Sequence, residues 1–222
     1  MDKLRDVSIL ISKFFGIYAL YIFVQLIFYS LIKITYNFYG ILGSALIVII
    51  TLYMLYYFFK DYFATINRTI TIKYLIDIIR LYLISIILKL TLLGVFKFFL
   101  KINTTMSSNQ KQIASTFTHD FSNMVTIVLL SLCIAPLFEE YLCRELLFKK
   151  ININLYLIIF VSSSIFSFLH FPSSVNDFLQ YFPLGITLGW CYKKYGYFGS
   201  VGLHLFNNII ALMTMFYTLF RS

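Results

Sequence analysis

The sequence predicts an all-α fold, a polytopic membrane helix bundle of about seven transmembrane helices, and three observations predict it. First, 60% of the 222 residues are hydrophobic and only 12% are charged, about half the charge of a soluble domain. Second, apolar runs recur along the chain, each near the roughly 18–20 residues that cross a bilayer as a helix. Third, the Lys and Arg residues are scattered among short polar stretches and run ends instead of massed on one face. The net charge of +9 is therefore read as contact with anionic headgroups and the topology bias of cytoplasmic loops, with no nucleic-acid surface.

The spans follow in order. Residues 6–35 form an apolar run too long for a signal-peptide core, with no small-residue cleavage site, so a retained helix is expected at 8–32. A second is expected at 39–59 and a third at 74–100. The third carries Asp77 and Arg80, whose spacing of three lets them neutralise one another near a helix end, and Lys89, which the sequence does not explain. Intramembrane charges also occur in proton-relaying transporters, but no internal repeat or pair of broken helices accompanies these. After the polar stretch KINTTMSSNQKQIASTFTHD come spans at 122–148, 154–171, 178–194 and 198–219. The sixth contains Gly185-x-x-x-Gly189, a spacing that lets two membrane helices approach closely. Ionisable residues with helical spacing concentrate after residue 138, dividing the chain into accessory helices and a polar loop (1–121) and a chemistry-bearing helix core (122–222).

Placing the N-terminus inside puts Lys3, Arg5, Lys13, Lys60, Arg68, Lys73, Lys149, Lys150, Lys193 and Lys194 on the cytoplasmic side, as the positive-inside rule favours. Lys97, Lys101 and Lys111 argue the other way. Cys133 and Cys143 lie about 15 Å apart in helical rise and cannot pair. With Cys191 they show no metal-type spacing, and all three are expected to be packing residues.

The fourth span holds FEEYLCRELLF, residues 138–148. Glu140 and Arg144 are four apart, on one helical face, with the acid on the favourable N-terminal side. Glu139 is rotated about 100° from Glu140 and meets Cys143 at i+4, so it has no cation on its own helix. An unpaired carboxylate in a poorly solvated place suits general acid or base work. Glu145 can pair with Lys149 and reads as surface charge. The fifth span ends SIFSFLHF, with Phe166 and His170 at i, i+4; the last begins GSVGLHLFNN, with His204 and Asn208 at the same spacing. His119, beside Asp120 in the polar loop, shows no such context.

Polar residues on three successive membrane helices mark a functional site. A carboxylate and an imidazole can hold and deprotonate a water. A second imidazole and an amide can donate to the oxyanion formed when that water attacks a carbonyl. The same side chains could instead ligate a zinc whose bound water attacks, although no H-E-x-x-H is present.

The order Glu139-Glu140-x-x-x-Arg144, Phe166-x-x-x-His170, His204-x-x-x-Asn208 resembles the CPBP family. Its members include CAAX prenyl endopeptidases and Abi-type bacterial membrane proteins linked to bacteriocin processing and self-immunity. The resemblance covers residues 122–219. It implies an intramembrane endopeptidase in which Glu139 and His170 activate the water, His204 and Asn208 stabilise the oxyanion, and Glu140 and Arg144 hold the site in shape. No cofactor is required on a glutamate-type reading; on a metal-dependent one, Glu139, His170 and His204 would hold a divalent ion such as zinc. The implied partners are a peptide or protein substrate and the lipid bilayer. The Ile-, Lys-, Asn- and Phe-rich composition points to a bacterial plasma membrane and a leader- or pheromone-like peptide. The alternative is a non-catalytic bacteriocin self-immunity protein of the same fold. One geometric difficulty accompanies these roles. Counted from the 149–153 turn, Glu139 lies about 15–20 Å along its helix and His170 about 25 Å along the next, so they meet only if a helix is tilted or broken.

Overall fold

The computed structural model describes residues 2–34, 70–101, 105–116 and 121–221, with isolated positions between 49 and 60. Most of the expected span at 39–59 and the pair His119–Asp120 lie outside the described residues, which contain helices and no strand. α1 is Asp2–Ile34, α2 Ile72–Leu100 and α3 the short polar helix Ser108–Thr116. α4 runs continuously over 121–150, α5 is Leu155–Phe168, and α6 is Val175–Arg221. Among the described residues, four segments are long and apolar enough to cross a membrane: Val7–Ile27, Ile72–Leu100, Met124–Lys150 and Val175–Thr218. Leu155–Phe168 is a shorter apolar helix.

α6 contains both of the last two expected spans. Gly196, at φ 72° and ψ −166°, breaks its helical geometry and divides it into two arms. Such a φ is open to glycine at little cost and to other residues only with strain, so the break is written into the sequence. The arms can therefore point in different directions, as two spans do.

α4 departs from a regular helix twice, with π-helical stretches at Leu130–Ile134 and Tyr141–Leu146 flanking Ala135–Glu140. The first has an identifiable cause. The Ala135 N–H bonds to the Leu130 carbonyl, five residues back. The next bond in that series would run from residue 136 to Ser131, and Pro136 has no N–H to give. The side-chain amide of Asn208 on α6 donates to the Ser131 carbonyl instead, at 2.9 Å. In the second stretch the Ser162 hydroxyl of α5 donates to the Cys143 carbonyl at 2.6 Å. Neighbouring helices thus satisfy carbonyls where the ladder of α4 is irregular, as a water-poor interior requires.

Two clusters wrap α4. Leu130, Ile134 and Phe138 pack against Tyr21 and Val24 of α1 and Tyr197 and Val201 of α6. Leu142 and Cys143 pack against Tyr74 and Ile78 of α2, Phe166 of α5 and Leu184, Leu188, Cys191 and Leu203 of α6. The three cysteines are free, two of them buried in packing positions. The glycine pair also packs within the bundle. A Cβ on Gly185 would stand 2.9 Å from the Ser163 backbone, and one on Gly189 3.2 Å from Ile159, so this arm of α6 lies directly against α5.

One set of charged groups gathers at one end of the bundle. Lys194 and Tyr195 at the break in α6 bind Asp77 near the start of α2. Tyr192 donates to Glu145, near the end of α4, at 2.8 Å. The start of α2, the end of α4 and the break in α6 therefore share one end of the bundle, in agreement with the common side expected for Lys73, Lys149, Lys150, Lys193 and Lys194. Two expectations are corrected here. Glu145 does pair with Lys149, but it is 4% exposed and takes the Tyr192 hydroxyl, so it ties α4 to α6 and is not surface charge. Asp77 contacts Arg80 at 3.6 Å, yet its closer partners are Lys194 and Tyr195.

Candidate active site

Arg144 and Glu140 are both fully buried, with Arg144 Nε 3.3 Å from Glu140 Oε2. Arg144 also donates to the Gly185 carbonyl at 3.1 Å, and its guanidinium lies over the Phe166 ring, 4.6 Å from the centroid. A buried guanidinium needs its donors matched and its charge opposed. Gly185 helps to make this possible, because its missing side chain lets the carbonyl of α6 come close. The other oxygen of Glu140 accepts from His204 Nδ1 at 3.0 Å. Glu140 thus joins Arg144 to His204, with the proton of the imidazole on Nδ1 and Nε2 turned the other way.

Glu139 faces elsewhere, as its 100° rotation predicts. Its Oε1 accepts from Tyr21 of α1 at 2.7 Å. Its Oε2 lies 3.8 Å from His170 Nε2 and 3.9 Å from His204 Nε2, and has no hydrogen-bond partner among the described residues. Separations of this size are too long for direct hydrogen bonds, and a water seated beside the three atoms in the cavity can contact all of them. His170 Nδ1 donates to the Phe166 carbonyl at 2.8 Å, which leaves a lone pair on Nε2 directed at Glu139.

That last bond resolves the difference in depth. His170 lies in the turn just past the end of α5, and its ring folds back to the carbonyl four residues earlier. The imidazole is thereby held about one turn lower than its residue number implies. Phe166 is twelve residues after Asn154 and Glu139 eleven before Lys150, so the two groups lie near the same level. The ring is further fixed by stacking on Tyr181 of α6, with centroids 3.9 Å apart. Tyr181 is anchored in turn by Ser107 and Asn109, at 2.9 and 3.0 Å.

Glu139, His170, His204 and Asn208 all line one cavity of about 310 Å³. Asn208 accepts from Asn207 at 3.0 Å and donates to Ser131, which holds its amide at the cavity wall. All six residues singled out in the sequence are therefore together, four on the cavity and two behind it. Asn109, Gln110 and Gln112 of α3 line the same cavity. α3 follows the far end of α2, so the polar lining lies toward the end of the bundle opposite Asp77 and Lys194.

Sequence reasoning missed Tyr21 and Tyr181. Tyr21 lies in the middle of an apolar helix with no charged neighbour, and no spacing rule links it to a residue 118 positions away. Tyr181 could have been flagged only as an aromatic near the start of α6.

The donor set also fits a metal in kind. Two imidazoles offer Nε2 with Nδ1 held by a carbonyl or carboxylate, the outer-shell arrangement common to zinc ligands, and a carboxylate oxygen faces both. Their mutual separations exceed the ~3.3 Å expected across a tetrahedral zinc with ligands at about 2.0–2.1 Å.

Residues 121–210 match the family model described as type II CAAX prenyl endopeptidase, Rce1-like. No curated protein and no solved structure matches the chain. The matched segment contains α4, α5, most of α6 and all three motifs, and over that segment the chain is similar to the Rce1-like CAAX prenyl endopeptidases.

Proposed function

We propose that this protein is an intramembrane endopeptidase that hydrolyses a peptide bond of a membrane-associated peptide or protein with a water activated by Glu139 and His170. The observation that carries the reading is the buried Glu139 Oε2, turned toward two imidazole nitrogens at 3.8 and 3.9 Å inside a cavity. A water between Glu139 Oε2 and His170 Nε2 gives a hydrogen to each. As its oxygen bonds to the carbonyl carbon, Glu139 accepts the proton. The carbonyl oxygen becomes an oxyanion, stabilised by the side-chain amide of Asn208 and by His204, whose Nε2 donates when the ring has taken a second proton from solvent before the attack. When the C–N bond breaks, the proton on Glu139 passes to the leaving amine.

Tyr21, Glu140 and Arg144 are positioning groups in this scheme. No cofactor takes part in these steps. If a divalent metal is bound, Glu139, His170 and His204 would hold it, and it would supply Lewis-acid activation of water. Substrates of the CAAX tail or of the bacteriocin- or pheromone-leader type both fit a cavity reached within the bilayer, and the plasma membrane of a bacterium is the proposed setting.

The test compares peptides released by cells expressing wild type and Glu139→Gln, by mass spectrometry at matched membrane abundance. A peptide present only with the wild type identifies the substrate; repeating the assay with a chelator decides the metal. Matching profiles, with a protective phenotype that survives the substitution, would replace the protease with an immunity protein.

A further inference from the structure

A second concavity, of about 670 Å³, lies between α2 and the first arm of α6 and shares no lining residue with the catalytic cavity. Its walls are two stripes at helical spacing, Leu81, Ile84 and Leu88 on α2 and Ile186 and Trp190 on α6. The contact between Asp77 and Lys194 makes the stripes antiparallel. Arg80, Lys193 and Lys194 therefore lie together at one end, while Leu88 and Ile186 lie together at the other. From Asp77 to Leu88 the groove extends about 16 Å at helical rise.

We infer that this groove binds an anionic phospholipid, its headgroup at Arg80 and Lys193 and an acyl chain along Leu81, Ile84, Leu88 and Trp190. Charge complementarity selects the occupant. Three cations against one carboxylate leave the polar end positive, and Lys194 is already engaged by Asp77. The Arg80 side chain is 72% exposed, and Lys193 is exposed too, so both are available to a phosphate. The gradient from basic to aliphatic follows that of a phospholipid in one leaflet. The basic end is also the one whose lysines the positive-inside rule assigns to the cytoplasm, where anionic lipids concentrate.

Trp190 is the chain's single tryptophan, 38% exposed and part of the groove wall, so tryptophan fluorescence reports on an occupant there. Purified full-length protein in detergent is titrated with acyl-brominated phosphatidylglycerol and, separately, acyl-brominated phosphatidylcholine. Phosphatidylglycerol is expected to quench Trp190 saturably, at a mole fraction at least fivefold lower than phosphatidylcholine. Raising the salt to about 1 M is expected to abolish that preference in the wild type, because exposed charges are screened. Arg80→Gln with Lys193→Gln should abolish it too, while phosphatidylcholine quenching stays the same. Equal quenching by the two lipids at low salt would overturn the assignment. It would indicate an apolar occupant such as a substrate's lipid tail or a second copy of the chain. A preference that survives both salt and substitution would also overturn it, by placing the headgroup contact away from Arg80 and Lys193.

Discussion

At the residue level, adjacent carboxylates acquire different tasks from a rotation of about 100°. Glu140 points at Arg144 and His204, and Glu139 points at Tyr21 and the open cavity. Arg144→Ala leaves Glu140 buried without its cation, and removing one partner of a buried pair costs about 3–5 kcal/mol. Membrane abundance measured by immunoblot should fall along with activity, whereas Glu139→Gln should lose activity at normal abundance. Tyr21→Phe tests the residue that the motifs do not reveal. It removes one hydrogen bond to a carboxylate, worth about 1.5–3 kcal/mol, and keeps the ring stacked on Phe138 at 5.5 Å. A decrease in kcat of roughly 10- to 100-fold with little change in KM is expected; an unchanged kcat would mean that the bond merely fastens α1.

At the level of elements, the first irregular stretch of α4 is a consequence of Pro136 and is repaired from α6. Asn208→Ala leaves the Ser131 carbonyl without a donor, at a cost of about 1–3 kcal/mol. Adding Pro136→Ala restores a backbone N–H that can close the ladder. The double variant should therefore regain thermal stability relative to Asn208→Ala while remaining inactive, because the amide proposed for the oxyanion is still missing. Recovery of both properties would assign Asn208 a structural task only. The contact of α5 with α6 depends on the bare backbone at Gly185, which faces Ser163 and offers its carbonyl to Arg144. Gly185→Ala should lower stability by about 1–3 kcal/mol through overpacking, measured as a lower unfolding temperature in detergent.

At the level of the molecule, the lysines at the start of α2, the end of α4 and the break in α6 gather on one side, and the polar lining of the proposed catalytic cavity lies toward the other. Eleven residues from Glu139 to Lys150 and eight from Gly196 to His204 place the chemistry about 12–16 Å from the basic end, near the middle of a hydrocarbon core about 30 Å thick. A membrane-impermeant maleimide should reach Gln112→Cys and Lys193→Cys from opposite sides of the membrane, tested with Cys133 replaced by alanine. Labelling of both from one side would contradict the arrangement of α3 and α6.

Much of this was legible in one dimension because it depends on local periodicity. Apolar run length marks the spans, and the i, i+4 rule pairs Glu140 with Arg144. The three motifs also announce the site, since ionisable groups at helical spacing within apolar segments are too costly to keep there unless they act together. The tertiary structure decided what periodicity does not carry. It brought Tyr21 to Glu139 across 118 residues, turned the His170 ring back by a turn, gave Glu145 to Tyr192 and divided Asp77 between Arg80 and Lys194. Those contacts join separate helices, and which faces meet is determined by packing of the whole bundle, which no single helix encodes alone.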